Sequence, residues 1–398
     1  MKPLVVAPAP FKAALAAPAA ARAIAAGVRL GAPGVQTRVV PVADGGEGTL
    51  DALVGAAGGR SRSVPAVDPL GRPIDARLGE LPGGVAVVEL AQAAGFELLA
   101  ETERDPEATT TAGVGMLIRA ALDLGVSRVI VGLGGSATTD GGLGLACELG
   151  VRALDADGND VPARGGDLGR VASLDLSGRD PRLDAVALEV ACDVDNPFHG
   201  PAGAARAFGP QKGASAAAVE RLDAGLANLA GAVATATGAD LQRLPGAGAA
   251  GGAAGGLATL LGGRLVPGAR LVLDAVDFER SLEDAGLCIT GEGRIDATTT
   301  AGKAPAAVAA ICARAGVPCL ALCGEVALGP RCVRELGLVA ALPIGRRLRD
   351  LAEARAATEQ DLAASGAAVG ALYAAGLGLT PPATPPPPRA HPLRRSPG

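Results

Sequence analysis

The sequence predicts an α/β protein built on a doubly wound parallel sheet. Short apolar segments alternate with helix-like segments and are joined by glycine-rich polar loops, as in PLVVAP, VSRVIVGLGG and AGLCITG. Such alternation is typical of strand, loop and helix units whose strands lie parallel. The 398 residues are enough for two or three domains, and 49% hydrophobic against 19% charged residues exclude a chain that stays disordered.

The first unit begins at the amino terminus. The apolar run PLVVAP predicts a buried strand, and the alanine-rich segment from Leu15 to Leu30 predicts a helix because Pro18 lies near its start. The pattern recurs in VQTRVVPVA before TLDALVGAA, in VSRVIVGLGG before LGLACELG, in AGLCITG before APAAVAAICARAG, and in VPCLALCG. Ligands of such sheets bind beyond the carboxyl ends of the strands, so the loops after these strands are the candidate sites.

Two stretches, residues 60–91 and about 151–206, lack this alternation. Their short segments are separated by the turn sequences PLG, PGG and DADGND, which predict antiparallel strands. We expect them to pair in a second α/β domain inserted into the first, which is then discontinuous. The proline-rich segment 380–398 is predicted to be disordered. The predicted first domain comprises residues 1–58, 96–149 and 246–379, and the second comprises residues 59–95 and 150–245.

Composition excludes several classes of partner. A net charge of −5 and only 2% aromatic residues argue against nucleic acid, which needs cationic surfaces and stacking rings. No run of about 20 apolar residues is present, so we expect no membrane contact. The seven cysteines form no CxxC pair and suit the reducing cytoplasm. Two histidines are too few for a histidine-based metal site, so any metal is expected to be a hard cation, while the oligomeric state is left open.

The lysine count singles out three positions. Only four of the 36 basic residues are lysines, and three of them, Lys12, Lys212 and Lys303, fall in compact polar motifs. Lysine and arginine are not interchangeable at phosphate-binding or titrating sites. We therefore expect each of the three to have a specific role, with a solvated surface position as the alternative for any one of them.

The loop from Asp44 to Thr49, with sequence DGGEGT, joins a predicted strand to a helix. Its glycines, Gly45, Gly46 and Gly48, allow the backbone to approach a ligand, while Asp44 and Glu47 offer the hard oxygen atoms that divalent cations prefer. The alternative is a tight turn whose acidic residues complement the helix dipole.

The second loop, Gly132 to Gly142, contains GxGxxA after a strand and predicts phosphate or nucleotide binding. Asp155 lies at about the separation expected for a ribose-binding acid, so an NAD-dependent oxidoreductase with a Rossmann domain is an alternative function. The polar sequence SATTDGG, however, does not run directly into an amphipathic helix. The candidate ligand-binding residues of this loop are Gly134, Gly135, Ser136 and Asp140.

The third loop combines two acids, Glu292 and Asp296, with two cations, Arg294 and Lys303. This composition suits magnesium together with a polyphosphate, although a surface ion pair with Arg294 would also explain it. No Walker A motif is present. Two further candidate segments follow a predicted strand: CDVDNP, which contains Asp193 and Asp195, and FGPQKG, which contains Lys212.

The sequence resembles the bacterial glycerate kinase family over about Pro3 to Leu379. The resemblance rests on six motifs in this order: VPVADGGEGT, GGSATTDGG, ACDVDNP, FGPQKGAS, PGAGAAGG and TGEGRID. The resemblance implies a flavodoxin-like domain joined to a second α/β domain compared with restriction endonucleases. It also implies transfer of the γ-phosphoryl group of ATP to D-glycerate, with Mg²⁺, to give 2-phosphoglycerate and ADP. The candidate catalytic residues are Lys12, Asp44, Asp193, Lys212 and Arg294, and the candidate nucleotide-binding residues are Gly45, Gly46, Gly48, Gly134, Gly135, Ser136, Asp140 and Lys303. The candidate metal ligands are Glu47, Asp195, Glu292 and Asp296. The sequence leaves the individual roles of these acids and lysines open.

The sequence departs from the family pattern at several positions. Ala9 and Pro10 stand where the family has Asp and Ser beside Lys12. Further departures are Val114, Met116, Thr139 and Thr298. A non-catalytic binding protein derived from the kinase fold is therefore a second alternative function.

Overall fold

The computed structural model describes residues 1–377 except Asp44, Glu47, Thr298 and residues 300–302. The predictions for Asp44 and Glu47, and for the proline-rich segment 380–398, therefore lie outside the described residues. The strands, in chain order, are β1 Leu4–Pro8, β2 Thr37–Val39, β3 Arg60–Val67, β4 Pro73–Leu81, β5 Val85–Glu89, β6 Arg128–Gly132, β7 Arg152–Leu154, β8 Ser173–Asp175, β9 Ala187–Ala191, β10 Arg264–Val266, β11 Leu287–Ile295, β12 Cys319–Val326 and β13 Ala340–Pro343.

The α-helices surround and connect these strands. None of the described helices is long and apolar enough to span a bilayer. In chain order they are α1 Ala17–Gly31, α2 Thr49–Ala57, α3 Ala91–Ala94, α4 Ala112–Asp123, α5 Leu143–Glu148, α6 Ala204–Phe208, α7 Ala216–Thr237, α8 Ala253–Leu261, α9 Gly268–Ala275, α10 Phe278–Ser281, α11 Ala304–Arg314, α12 Pro330–Glu335, α13 Leu351–Ala356 and α14 Thr358–Gly376.

A five-stranded parallel sheet has the order β13-β12-β11-β1-β2. The strand order therefore reverses between β1 and β11, which is where doubly wound sheets open a crevice at their carboxyl edge. Helices α1 and α14 pack together on one face of this sheet. Their contact is close because it is made by glycines: a Cβ on Gly27 would lie 1.9 Å from the Ala363 carbonyl oxygen.

A six-stranded sheet has the order β10-β9-β6-β5-β4-β3. Strands β3, β4 and β5 are antiparallel, as expected for residues 60–91, whereas β5, β6, β9 and β10 run parallel. For residues 151–206 the prediction of antiparallel strands is correct for β7 and β8 and wrong for β9, because the short apolar run of β9 carries no signal of the direction of its neighbours. The mixed α/β class with parallel sheets is thus confirmed. A two-stranded antiparallel sheet, β7-β8, completes the strands of the described chain.

The sheet membership of β6 and β10 differs from our expectation. Both strands lie in segments assigned to the first domain, 96–149 and 246–379, yet both pair in the six-stranded sheet with the strands of the second. The physical reason is that buried parallel strands are continuous apolar runs in both sheets. The sequence of such a strand therefore does not indicate which strands it pairs with. The division into two domains at the stated boundaries stays a prediction.

The two sheets meet where the loop after β2 crosses the carboxyl edge of β6 and β9. Gly45 adopts φ +81°, a conformation that favours glycine, and a Cβ there would lie 2.3 Å from the Ala191 Cβ. The Gly134 N–H donates to the Gly45 carbonyl oxygen at 3.4 Å. Glycine at position 45 therefore allows the carboxyl edges of the two sheets to come together.

Candidate active site

Two pockets open at this meeting of carboxyl edges. The smaller, of about 270 Å³, is lined by the loops after β6 and β9 together with Gly45 and Gly46. The larger, of about 650 Å³, lies at the ends of β1, β11 and β12, beneath α13 and α14. Lys12 lines both pockets. The two pockets are therefore neighbours that share Lys12, and segments that follow strands of both sheets contribute to the candidate site.

Lys12 lies at the tip of a tight turn after β1. The Phe11 N–H donates to the Leu15 carbonyl oxygen at 2.9 Å, and the Ala14 N–H donates to the Phe11 carbonyl oxygen at 2.8 Å. Ala13 has φ +59°, which is unusual for a residue with a side chain. This turn presents the exposed Lys12 side chain toward the space between the two pockets.

Ser136 and Lys212 form the polar floor of the smaller pocket. The Lys212 Nζ lies 3.2 Å from the Ser136 Oγ and also donates to the Thr138 carbonyl oxygen. Only 2% of Lys212 is exposed, and burial lowers its pKa from 10.5 to about 7, while the nearby Asp140 carboxylate acts in the opposite direction. A buried amine with a pKa near neutrality is suited to binding an anion and gaining a proton with it.

Asp140 lies beneath this loop and does not line either pocket. Its side chain is fully buried, and it accepts hydrogen bonds from the Thr111 N–H and hydroxyl at 2.7 Å each. The N–H groups of Gly142 and Gly144 donate to it at 3.0 and 3.2 Å. Burial raises the pKa of Asp140, and these donors lower it. The structure thus places Asp140 where it holds the SATTDGG loop in shape, and direct ligand binding by it stays a prediction.

A residue that the sequence analysis missed, Glu89, holds the backbone of Gly48 and Leu50 at the start of α2. It ends β5, is 2% exposed, and accepts hydrogen bonds from the Gly48 N–H at 2.8 Å and the Leu50 N–H at 3.1 Å. These N–H groups are at the start of α2, where an anion would otherwise bind. The amino end of α2 is therefore occupied by a protein carboxylate, while Gly45 and Gly46 line the smaller pocket.

The two aspartates after β9 differ in position. Asp193 lines the smaller pocket, and its Oδ1 accepts a hydrogen bond from the Gly268 N–H at 2.7 Å, at the start of α9. Both aspartates are exposed, but Asp195 is not part of the lining of either pocket. Of the two, Asp193 is the carboxylate placed to reach a small bound ligand.

The larger pocket gathers the residues of the third loop. Glu292, Arg294, Asp296 and Lys303 all line it. The Thr299 hydroxyl donates to Glu292 Oε1 at 2.9 Å, which orients that carboxylate. Arg294 is more than half exposed and lies 3.5 Å from Asp296 and 3.6 Å from Glu325. Three further arginines line the pocket, so its charge is predominantly positive: Arg347, Arg349 and Arg355.

A buried ion pair, Arg349 with Asp361, forms part of the wall of this larger pocket. The side chains are 11% and 3% exposed. In the described part of the chain, Arg349 Nε and Asp361 Oδ1 have no hydrogen-bond partner. Sequence reasoning could not find this pair, because its two members come from an irregular segment and from α14.

A sequence model of the glycerate kinase family matches residues 4–374, nearly the whole chain. The chain belongs to the glycerate kinase family. The resemblance drawn from the six motifs is thus confirmed.

Individual members of the glycerate kinase family are similar to this chain along most of their length. A glycerate kinase of Bacillus subtilis is 44% identical over 91% of this chain and 97% of its own. A glycerate 2-kinase of Escherichia coli is 39% identical over 94% of this chain and 98% of its own. A crystal structure assigned provisionally as glycerate kinase 2, from Salmonella typhimurium LT2, superposes with a TM-score of 0.85 at 41% identity and covers 95% of this chain and 100% of that one.

Two of the departures from the pattern of the glycerate kinase family lie away from both pockets. Both are in α4: Val114 is fully buried in the core, and Met116 packs against the same core. Ala9 and Pro10, by contrast, line the larger pocket beside Lys12. Thr139 is fully buried, and in the described structure its hydroxyl has no hydrogen-bond partner. Among the departures at described residues, Ala9 and Pro10 are therefore the two that change the surface that a ligand would contact directly.

Two apolar contributors to the smaller pocket were also missed. Phe96 lines it and carries the Arg104 guanidinium 5.4 Å from its ring centroid. Ala250 lines it with φ +53°, and its carbonyl oxygen lies 3.3 Å from the Ser136 Oγ. The segment PGAGAAGG is thus an ordered wall of the site, whereas its glycines alone suggest a flexible connection.

Proposed function

We propose that the protein is a cytoplasmic, ATP-dependent kinase that phosphorylates D-glycerate to 2-phosphoglycerate and releases ADP. The names of its relatives support a glycerate kinase, and their spread over nearly the full chain supports an intact site. The seven free cysteines support a reducing compartment.

The nucleotide occupies the larger pocket and glycerate the smaller one. A volume of about 650 Å³ is in the range of sites for ligands of nucleotide size, whereas about 270 Å³ suits a three-carbon acid. The triphosphate lies against Lys303 and Arg294. The observation that carries this arrangement is that Lys12 lines both pockets, so its ammonium can contact the phosphoryl group while that group moves from one to the other.

The chemistry required is charge neutralisation and positioning. Lys212 faces the anionic substrate from the floor of the smaller pocket, and Asp193 is placed to accept the proton of the attacking hydroxyl. The Gly268 N–H holds the Asp193 carboxylate in position at 2.7 Å. Arg294 lines the nucleotide pocket, so in this arrangement it binds phosphate and leaves the carboxylate of glycerate to Lys212.

The larger pocket also fits a magnesium ion. Glu292 and Asp296 supply carboxylate oxygens, the ligand type that Mg²⁺ prefers, and the Thr299 hydroxyl already orients Glu292. When bound, the ion would neutralise phosphate oxygens. Asp195 lies outside both pockets and Glu47 outside the described residues, so neither is used here.

The proposal is tested by measuring ADP release in a coupled assay with D-glycerate, followed by phosphorus NMR of the product. We expect turnover that requires both substrates, and phosphate on carbon 2. Absence of turnover would favour the non-catalytic binding protein, and NAD-dependent oxidation of an added hydroxy acid would favour the oxidoreductase. Exclusive 3-phosphoglycerate would mean that glycerate binds in the opposite orientation.

The assignment of the two pockets is tested with Lys303→Met. This variant should raise KM for ATP and leave KM for glycerate near the wild-type value, because Lys303 lines only the larger pocket. Lys2→Met is the matched control for removal of a lysine at an exposed terminus. A rise confined to KM for glycerate would reverse the assignment.

A further inference from the structure

Three cysteines that the proposed kinase reaction does not use meet in the core of the five-stranded sheet. Cys288 is the second residue of β11, Cys319 is the first residue of β12, and Cys312 lies in the last turn of α11. Their sulfur atoms all lie within 4.8 Å of one another, and in the described chain this is the one such group of three or more metal-ligating side chains. We call it the thiol cluster.

The sheet and the helix impose this geometry. Cys288 and Cys319 are register partners on adjacent parallel strands, so their side chains emerge on the same face. Alternate residues of β12 divide between the two faces: Cys319 packs with Cys312 of α11, whereas Leu320 packs on the opposite side of the sheet. The exposures of the three cysteines are 0%, 0% and 1%. The backbone therefore fixes three thiols around one point.

The dimensions of the cluster fit a single thiophilic atom. Bonds from sulfur to such an atom are about 2.3 Å, which places sulfur atoms around one centre about 3.8 Å apart. A separation of at most 4.8 Å requires only a small contraction.

Charge decides which atom fits. The three thiols are buried in a hydrophobic core, packed in one cluster with Val5, Val308 and Val317. Three thiolates around a divalent ion would leave a net negative charge in this dry core, which is strongly unfavourable. Three thiolates around a trivalent centre are neutral.

We propose that Cys288, Cys312 and Cys319 form a binding site for trivalent arsenic, taken up as arsenite. Arsenous acid, As(OH)₃, is neutral at pH 7 and can enter an apolar core when the structure opens locally. Three As–O bonds break and three As–S bonds form; each thiol proton leaves with one hydroxide as water. No oxidation state changes, so no further reactant is needed.

The test is native mass spectrometry of the reduced full-length chain after incubation with arsenite. We expect one adduct, in which one arsenic replaces three protons, on the wild type and on Cys323→Ala. Cys323 is the matched control because it is also buried on β12 but lies outside the cluster. Cys312→Ala should lose the adduct, and zinc should give none on any variant.

No adduct on the wild type, an adduct that persists in Cys312→Ala, or one that disappears in Cys323→Ala would overturn the proposal. Zinc uptake in place of arsenic would overturn the charge argument. A measurement that needs no variant guards against misfolding of Cys312→Ala: X-ray absorption of the arsenic-loaded wild type should show three sulfur neighbours, and fewer than three would also refute the site.

Discussion

The Lys212 ammonium nitrogen lies 3.2 Å from the Ser136 hydroxyl in the floor of the smaller pocket, which is also lined by Lys12 from the other sheet. Lys12 follows β1 of the five-stranded sheet, and Lys212 lies among the connections of the six-stranded one. The two cations therefore face a common ligand space from separate structural supports. Each can be altered without disturbing the other.

Lys212→Met should lower kcat/KM for glycerate by about 100-fold or more, because it removes the buried cation that we propose binds the glycerate carboxylate. Methionine fills most of the same volume, so the melting temperature should be equal to or above that of the wild type, because a buried amine no longer needs to be desolvated. Steady-state kinetics and thermal melting check both values. Wild-type turnover in Lys212→Met would remove this lysine from the site.

The same lysine predicts a pH dependence of stability. The pKa of Lys212 is about 7 in the folded chain and near 10.5 when exposed. Between these values the unfolded chain holds one more proton, so the free energy of unfolding should rise with pH, by up to about 1.4 kcal/mol per unit. Chemical denaturation from pH 7 to 10 should show this slope in the wild type and in Lys2→Met. A slope of the same size in Lys212→Met would assign it to another group.

Glu89→Gln should destabilise the protein by about 1–3 kcal/mol, because a buried carboxylate that accepts two backbone N–H groups is replaced by a neutral amide. The start of α2 carries the DGGEGT loop, so kcat should fall as well. Glu80→Gln, on the adjacent strand β4, is the control: its ion pairs with Arg60 and Arg62 are at the surface, and its loss should change stability by less than about 1 kcal/mol. Equal effects of the two variants, measured by urea denaturation, would contradict a special role for Glu89.

Thr139→Val should stabilise the protein by about 1 kcal/mol, because it replaces a buried hydroxyl that has no partner with a methyl group of the same size. Thr138→Val should have the opposite effect. The Thr138 Oγ1 lies 3.3 Å from the Ser136 Oγ, so loss of this hydroxyl should destabilise the protein by about 0.5–1.5 kcal/mol. Melting temperatures of the two variants that shift in the same direction would refute this account of Thr139.

Much of the fold follows from the sequence, because strand and helix periods are local properties. The segments PLVVAP, AGLCITG and VPCLALCG became adjacent parallel strands, and residues 60–91 became an antiparallel meander. The sequence did not predict the sheet to which β6 belongs. Its partners, β5 and β9, are chosen by packing between distant segments, and an apolar run carries no signal of that choice.

For the candidate site too, residues in local motifs could be predicted, whereas contacts between distant segments could not. Rarity of lysine pointed to Lys12, Lys212 and Lys303, and all three line a pocket. Glu89 gave no signal because it follows an ordinary strand and lies 41 residues from the N–H group that it binds. The Arg349 and Asp361 pair likewise depends on how α14 packs, which no local pattern specifies.

The pairing of β1 with β11 also constrains how the chain can fold. Thr290, in β11, donates a hydrogen bond to the Ala7 carbonyl oxygen across 283 residues of sequence, whereas every strand of the six-stranded sheet lies within residues 60–266. During synthesis the amino-terminal strand must therefore wait for most of the chain to emerge, while the larger sheet can already be complete. We expect pulse-labelling hydrogen exchange to protect β5, β6 and β9 before β1, because long loops delay the closure of distant contacts. The Lys12 turn would then be among the last parts of the protein to reach its final place.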